Sequence, residues 1–172
     1  CLNASVNKAK PPFVDEYVAL KLSPFFAANE HILTICPPFS INSGKYCLVN
    51  EDCCNSDSEF NKLCYRFHCQ KTVRDVMSGI VTDKPFQTCF QSRFGMDKWI
   101  QPDILNVLQE CVDRGIKNIA VSCPSFVADC LETLEEISIR DREYFQDIGG
   151  ESLNLIPSLN TSSSWVSGFA DF

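Results

Sequence analysis

The sequence has no cluster of basic residues, no apolar run of membrane-spanning length and no internal repeat, and each absence removes a class of function. Its 15 Lys and Arg are scattered among 22 Asp and Glu, for a formal charge of -7. A nucleic-acid surface needs gathered positive charge to meet phosphates, so nucleic acid is excluded as a partner. Lys, Asn, Asp or Pro interrupts every apolar stretch well short of the roughly 20 residues a membrane helix needs. The chain is therefore expected not to span a bilayer, while association with a membrane surface stays open. Cys1 to Lys10 has neither a signal peptide's apolar core nor a transit peptide's Arg-rich amphipathic pattern, and the chain opens on Cys1 rather than Met. A processed or truncated start is expected.

What is present is enough apolar mass for one domain: 172 residues, 45% of them hydrophobic. Eleven cysteines are many, and the odd number leaves at least one thiol outside any disulfide scheme. A secreted scaffold uses disulfides to replace an inadequate core, whereas here Cys36, Cys89 and Cys123 sit inside apolar runs, where cysteine packs as a small hydrophobe. The compartment is read as intracellular and reducing: cytoplasmic for a bacterial chain, mitochondrial (matrix or inner-membrane associated) for a eukaryotic one.

Along the chain, apolar strands alternate with helical stretches. Val14, Val18, Leu22, Phe25 and Phe26 predict a helix over Phe13 to about Ala28, and Ile32 to Cys36, stopped by Pro37 and Pro38, predicts a buried strand. Ile41 to Phe60 lacks periodicity and reads as a functional or ligand-stapled loop. Helices follow near Lys62 to Met77, Ile100 to Asp113, Phe126 to about Asp147 (closed by Gly149 and Gly150) and from Ser162. Strands are predicted near Phe86 to Gln91, Asn118 to Cys123 and Ser152 to Ile156. Such alternation predicts an α/β fold: one three-layer, Rossmann-like domain over residues 1–172, with a mostly parallel four-stranded sheet flanked by helices and a cysteine-rich insertion at about 41–69.

Two groups of residues carry candidate chemistry. Asp129, Glu132, Glu136 and Arg140 share one face of the predicted long helix, while Val127, Leu131 and Leu134 form an apolar stripe on another. Spacing alone fits a solvated face with a Glu136 to Arg140 salt link. It also fits carboxylates that handle a cation or accept protons at the carboxyl end of a parallel sheet, where ligands of α/β proteins bind. Cys47, Cys53, Cys54, Cys64 and Cys69 form the second group. Their thiolates are candidates for a 2Fe-2S cluster or a structural zinc, with a disulfide or free thiols as the alternatives. His31 and His68 are the only histidines; the first is expected at a strand edge, the second beside the cysteine loop.

The words FQSRFG followed by Trp99, CPSFVADCLETLEEI, and GGE followed by a strand and IPSLN resemble the ferrochelatase family, which inserts ferrous iron into protoporphyrin IX. CYRFHCQKT and the CLVNEDCC loop are similar to stretches of some bacterial members. The resemblance implies a chelatase-like fold and the second of the family's two similar halves. It implies that Glu132 is the family's essential glutamate, taking part in pyrrole deprotonation or iron delivery, that Asp129 and Glu136 belong to its acidic line, and that Trp99 lies near the porphyrin. Some members carry iron-sulfur clusters, so the resemblance strengthens the case for a metal on the cysteine loop without choosing between a 2Fe-2S cluster and zinc. Four departures stand out: Arg140 falls where many relatives have an acid, Cys130 where others have His, and Ile104 and Leu105 where the family has Thr-Asp. The fourth is Ser40, which falls in the place of the second catalytic residue, a histidine. A serine hydroxyl is no base near neutral pH and a poor substitute for imidazole at iron. The expectation is therefore a non-catalytic structural or interaction subunit within a larger assembly of other protein chains. The alternatives are an active ferrochelatase whose other half lies elsewhere, and a porphyrin- or metal-binding module.

Overall fold

Four short strands rich in Ile, Leu, Val and Thr pair side by side because each is too apolar to remain in water and too short to stand alone. The computed structural model describes residues 31–36, 61, 64–80, 82–91 and 99–171, with Leu33 the one described side chain of the first segment. In chain order the elements are β1 (His31–Cys36), α1 (Tyr65–Met77), β2 (Phe86–Phe90), α2 (Ile104–Asp113), β3 (Asn118–Ser122), α3 (Glu132–Asp141), α4 (Arg142–Asp147), β4 (Ser152–Leu155) and α5 (Ser163–Ala170). The strands form one parallel sheet in the order β2-β1-β3-β4. Thr34 sits at its centre, with Thr88 beside it on one side and Ser122 on the other. The expected four-stranded parallel sheet is thus present. His31 stands at the entry of β1, an interior strand of the sheet. The helix expected over Phe13 to Ala28 and the loop over Ile41 to Phe60 lie outside the described residues.

Alternation along each strand sends neighbouring side chains to opposite faces. Leu33, Cys89, Ile119, Val121 and Leu153 meet Val107 and Leu108 of α2, Ile137 of α3 and Phe145 of α4 on one face. Phe90, one residue on from Cys89, instead joins Ile100, Tyr65 and Cys69, the last two from α1. Helices therefore cover both faces, as a parallel sheet requires. Cys89 and Cys123 are buried among the apolar side chains, in line with their reading as small hydrophobes.

Two helix starts differ from the sequence expectation. Ile100 to Pro102 do not open α2: Pro102 has no N–H to give a helix and disfavours helical backbone before it. Its carbonyl instead accepts from Phe90 N at 2.9 Å. Asp103 then caps α2, accepting from Leu105 N at 3.1 Å. The long helix begins at Glu132, not Phe126, and its first ten residues are wound as a π-helix. Wider turns re-phase the surface: Thr133, Ile137 and Asp141, four apart, point inward together with Glu136. Val127, Leu131 and Leu134, expected as an apolar stripe, are 48%, 73% and 51% exposed.

At the other end, Gly149 (φ 111°) closes α4. Gly150 N donates to Phe145 O at 2.8 Å and Gly149 N to Gln146 O at 3.1 Å, a Schellman termination that needs the left-handed residue. A Cβ at Gly150 would penetrate the ring of Phe145, which is fully buried and has nowhere to move. Gly150→Ala is expected to cost about 1–3 kcal/mol through overpacking. The check is the urea midpoint, and an unchanged midpoint would refute the clash.

Candidate active site

The carboxyl ends of β2, β3 and β4 deliver Gln91, the segment from Cys123 to Cys130, and Ser158 to Asn160 to one edge of the sheet, the edge where α/β folds bind ligands. Asp129 ties two of these exits together. Its Oδ2 accepts from Asn160 Nδ2 at 2.7 Å, its Oδ1 from Ser158 N at 3.1 Å, and its own N–H donates to Asn160 Oδ1 at 2.8 Å. Burial works against its charge, but the bonds from Asn160, Ser158 and Thr133 outweigh it and hold the carboxyl below its ordinary value. Asn160 adopts φ 50°, a left-handed conformation that Asn tolerates better than most residues. Thr133, fully buried, accepts from Cys130 N at 3.0 Å and secures the start of α3. Asp129 is thus largely committed to holding the site together.

Glu132 occupies the opposite condition. It is exposed at the first position of the π-wound helix, and hydrogen bonds from the Cys130 thiol and from its own N–H hold its carboxyl below the ordinary range. It is ionised at neutral pH and open to a cation or a proton. Glu136 lies one turn deeper and is buried. Its Oε1 pairs with Arg140 Nη2 at 2.8 Å and its Oε2 accepts from Gln91 Nε2 at 3.5 Å; the same Gln91 nitrogen reaches Glu132 O at 3.3 Å. The expected Glu136 to Arg140 link is present. The single shared face is not, because π-winding turns Glu136 inward and leaves Glu132 outside, while Asp129 precedes the helix.

Beneath Glu136 sits Asp141, 1% exposed, with Arg140 Nε 3.8 Å from its Oδ1. Burial pushes its carboxyl up to about 7; Arg140 pulls it down, while Glu136, Asp103 and Glu135 push it further up. Burial also raises the Cys123 thiol to about 12 and that of Cys89 well above its ordinary value, so neither is a thiolate at neutral pH.

Of the remaining candidates, Trp99, Cys64 and Cys69 are described. Trp99 is half-buried, its carbonyl accepting from Gln101 Nε2 at 3.4 Å. Cys69 packs against Phe90 and Ile100, and Cys64 stands half-buried before α1. Neither belongs to a group of three or more metal-donor side chains among the described residues. Cys64 and Cys69 alone are too few donors for a cluster or a structural zinc. Ser40, Cys47, Cys53 and Cys54 lie outside the described residues. His68 is exposed and meets the Phe67 ring edge-on at 5.5 Å.

Sequence reasoning missed Gln91, Thr133, Asn160 and Asp141. Gln91 and Asn160 stand within motifs already marked, FQSRFG and IPSLN, each just beyond a strand, and that position was the available signal. Among the described residues, no helix is long and apolar enough to cross a membrane.

The motifs that build this edge match known proteins. The family model described as Ferrochelatase matches residues 41–172. A ferrochelatase of Pseudomonas fluorescens (strain Pf0-1) is 40% identical over 171 residues, covering 98% of this chain and 49% of the relative. One of Bdellovibrio bacteriovorus is 43% identical over 126 residues, 73% of this chain and 38% of the relative. One of Pseudomonas putida (strain KT2440) is 37% identical over 172 residues, 99% of this chain and 50% of the relative. The chain spans about half the length of the curated relatives it matches. With the exposed glutamate, the acid-bearing helix and the strand exits all inside the matched region, the chain belongs to the ferrochelatase family.

Proposed function

We propose that this chain is the carboxylate-bearing half of a ferrochelatase, acting in the insertion of ferrous iron into protoporphyrin IX together with a complementary half. Glu132 carries this reading: a carboxylate open to solvent, ionised at neutral pH, set at the carboxyl edge of a parallel sheet and backed by the buried Gln91 and Glu136, the latter paired with the exposed Arg140. Metal insertion removes the pyrrole N–H protons, and an ionised carboxylate beside the macrocycle accepts them or holds the incoming cation. Asp129 and its partners hold the segment that precedes Glu132. Trp99, half-buried, supplies an aromatic face for the porphyrin. The names of the relatives support activity more than the non-catalytic role the sequence first suggested, and their bacterial origin favours a cytoplasmic rather than a mitochondrial setting.

One observation keeps a second reading in view. Pro37 to Gly44, the residues that follow β1, contain no histidine, so a second proton acceptor must come from elsewhere. Without it the chain is a porphyrin-binding or structural subunit. Zinc insertion into protoporphyrin by the full-length protein decides between them. Steady turnover is the expected result. Porphyrin binding without turnover would favour the binding module, and neither would favour the structural subunit.

A further inference from the structure

Glu136 and Asp141 are two buried carboxylates served by one exposed guanidinium, and Asp141 has no use in the chemistry assigned so far. Arg140 reaches Glu136 through Nη2 at 2.8 Å and Asp141 through Nε at 3.8 Å, so the guanidinium lies closer to Glu136. Asp141 Oδ2 is buried and has no hydrogen-bond partner among the described residues, a costly state for an ionised oxygen and a tolerable one for a protonated carboxyl. The other titratable groups that act on Asp141 among the described residues are acidic or neutral thiols: Glu135 and Glu136 from α3, Asp103 from the start of α2, Cys89 from β2 and Cys123 from the end of β3. Among the described residues, Arg140 is the cation that acts on it.

We propose that Asp141 is a positioning residue that sets the charge balance at Glu136 through Arg140, the guanidinium that both carboxylates share. With Asp141 protonated, Arg140 neutralises Glu136 alone. With Asp141 ionised, Arg140 is divided between two acids and the three groups carry a net charge of one minus, which strengthens Glu136 as an acceptor. Because its proton leaves near neutrality, Asp141 switches this balance within the range where cells work. Gln91 Nε2 contacts both Glu136 Oε2 and Glu132 O, so the change is transmitted to the base of the exposed glutamate. The link to catalysis rests on the chelatase reading; the electrostatic coupling does not.

The test is a carbon-13 NMR titration of Asp and Glu carboxyls in this chain, which needs no turnover. The wild type is expected to show one carboxyl titrating near pH 7, with the Glu136 signal moving in the same step. Asp141→Asn should abolish both movements. Arg140→Lys, whose point-charge ammonium cannot bridge both acids as a fork does, should roughly halve the Glu136 response. A Glu136 signal that stays still through the Asp141 step, or that moves as before in Arg140→Lys, would overturn the proposal. In the full-length protein, Asp141→Asn should remove the neutral inflection from the pH profile of kcat for zinc insertion while KM for porphyrin stays unchanged. If neither protein turns over, the chelatase reading fails while the NMR result still decides the coupling.

Discussion

Glu132→Gln in the full-length protein is expected to slow metal insertion into protoporphyrin by a factor of about 100 to 10,000, the range that follows removal of a positioned proton acceptor. The substitution keeps the shape and removes the charge. Because the side chain is exposed and an amide oxygen can still accept from the Cys130 thiol, the fold should be nearly indifferent, with the urea midpoint unchanged. Porphyrin binding should persist, which separates lost chemistry from lost structure. Near-wild-type insertion by Glu132→Gln would remove this residue from the mechanism. Glu136→Gln is a poor substitute for this experiment, since Glu136 is buried and the change alters both its 2.8 Å pair with the exposed Arg140 and its contact with Gln91, perturbing the surroundings of Glu132 as well.

The second large effect concerns stability against pH. The Asp141 carboxyl is raised from 3.8 to about 7 by the fold, so the folded chain holds this proton more tightly than the unfolded chain. Its contribution is fully present below about pH 4 and is lost as pH rises through about 7. The distance between those values sets a ceiling of about 4 kcal/mol, and relaxation of the site should leave roughly 2–4 kcal/mol. Asp129 acts in the other sense, with its carboxyl lowered and its support lost in acid. Comparing the parent with Asp141→Asn isolates the first contribution: urea midpoints of the two should differ most above pH 8, with the variant the more stable, and the difference should shrink toward pH 4. A constant difference across that range would show that Asp141 is ionised throughout.

Much of the framework is written in local pattern. Ile32 to Cys36, Phe86 to Phe90 and Asn118 to Ser122 are short apolar runs bounded by breakers, and Gly149 with Gly150 marks a helix end without ambiguity. Glu132 was identifiable through the motif around it. Three things were not legible. A period of 3.6 was assumed for the long helix, and π-winding, which depends on tertiary packing, moved Glu136 inside and Leu131 and Leu134 outside. Asp129 finds its partner 31 residues away, and no local rule anticipates that pairing. Asp141 lies in a charged run, SIRDREYFQD, in which nothing separates a buried acid from a solvated one.

The Asp129 to Asn160 clasp bears on how such a chain can change over time. Each residue both donates to and accepts from the other, so replacing either alone strands groups on both strand exits, whereas a matched exchange of the two can keep the junction. The two positions then constrain one another, and FVADC and IPSLN, far apart in the chain, act as a single unit once folded.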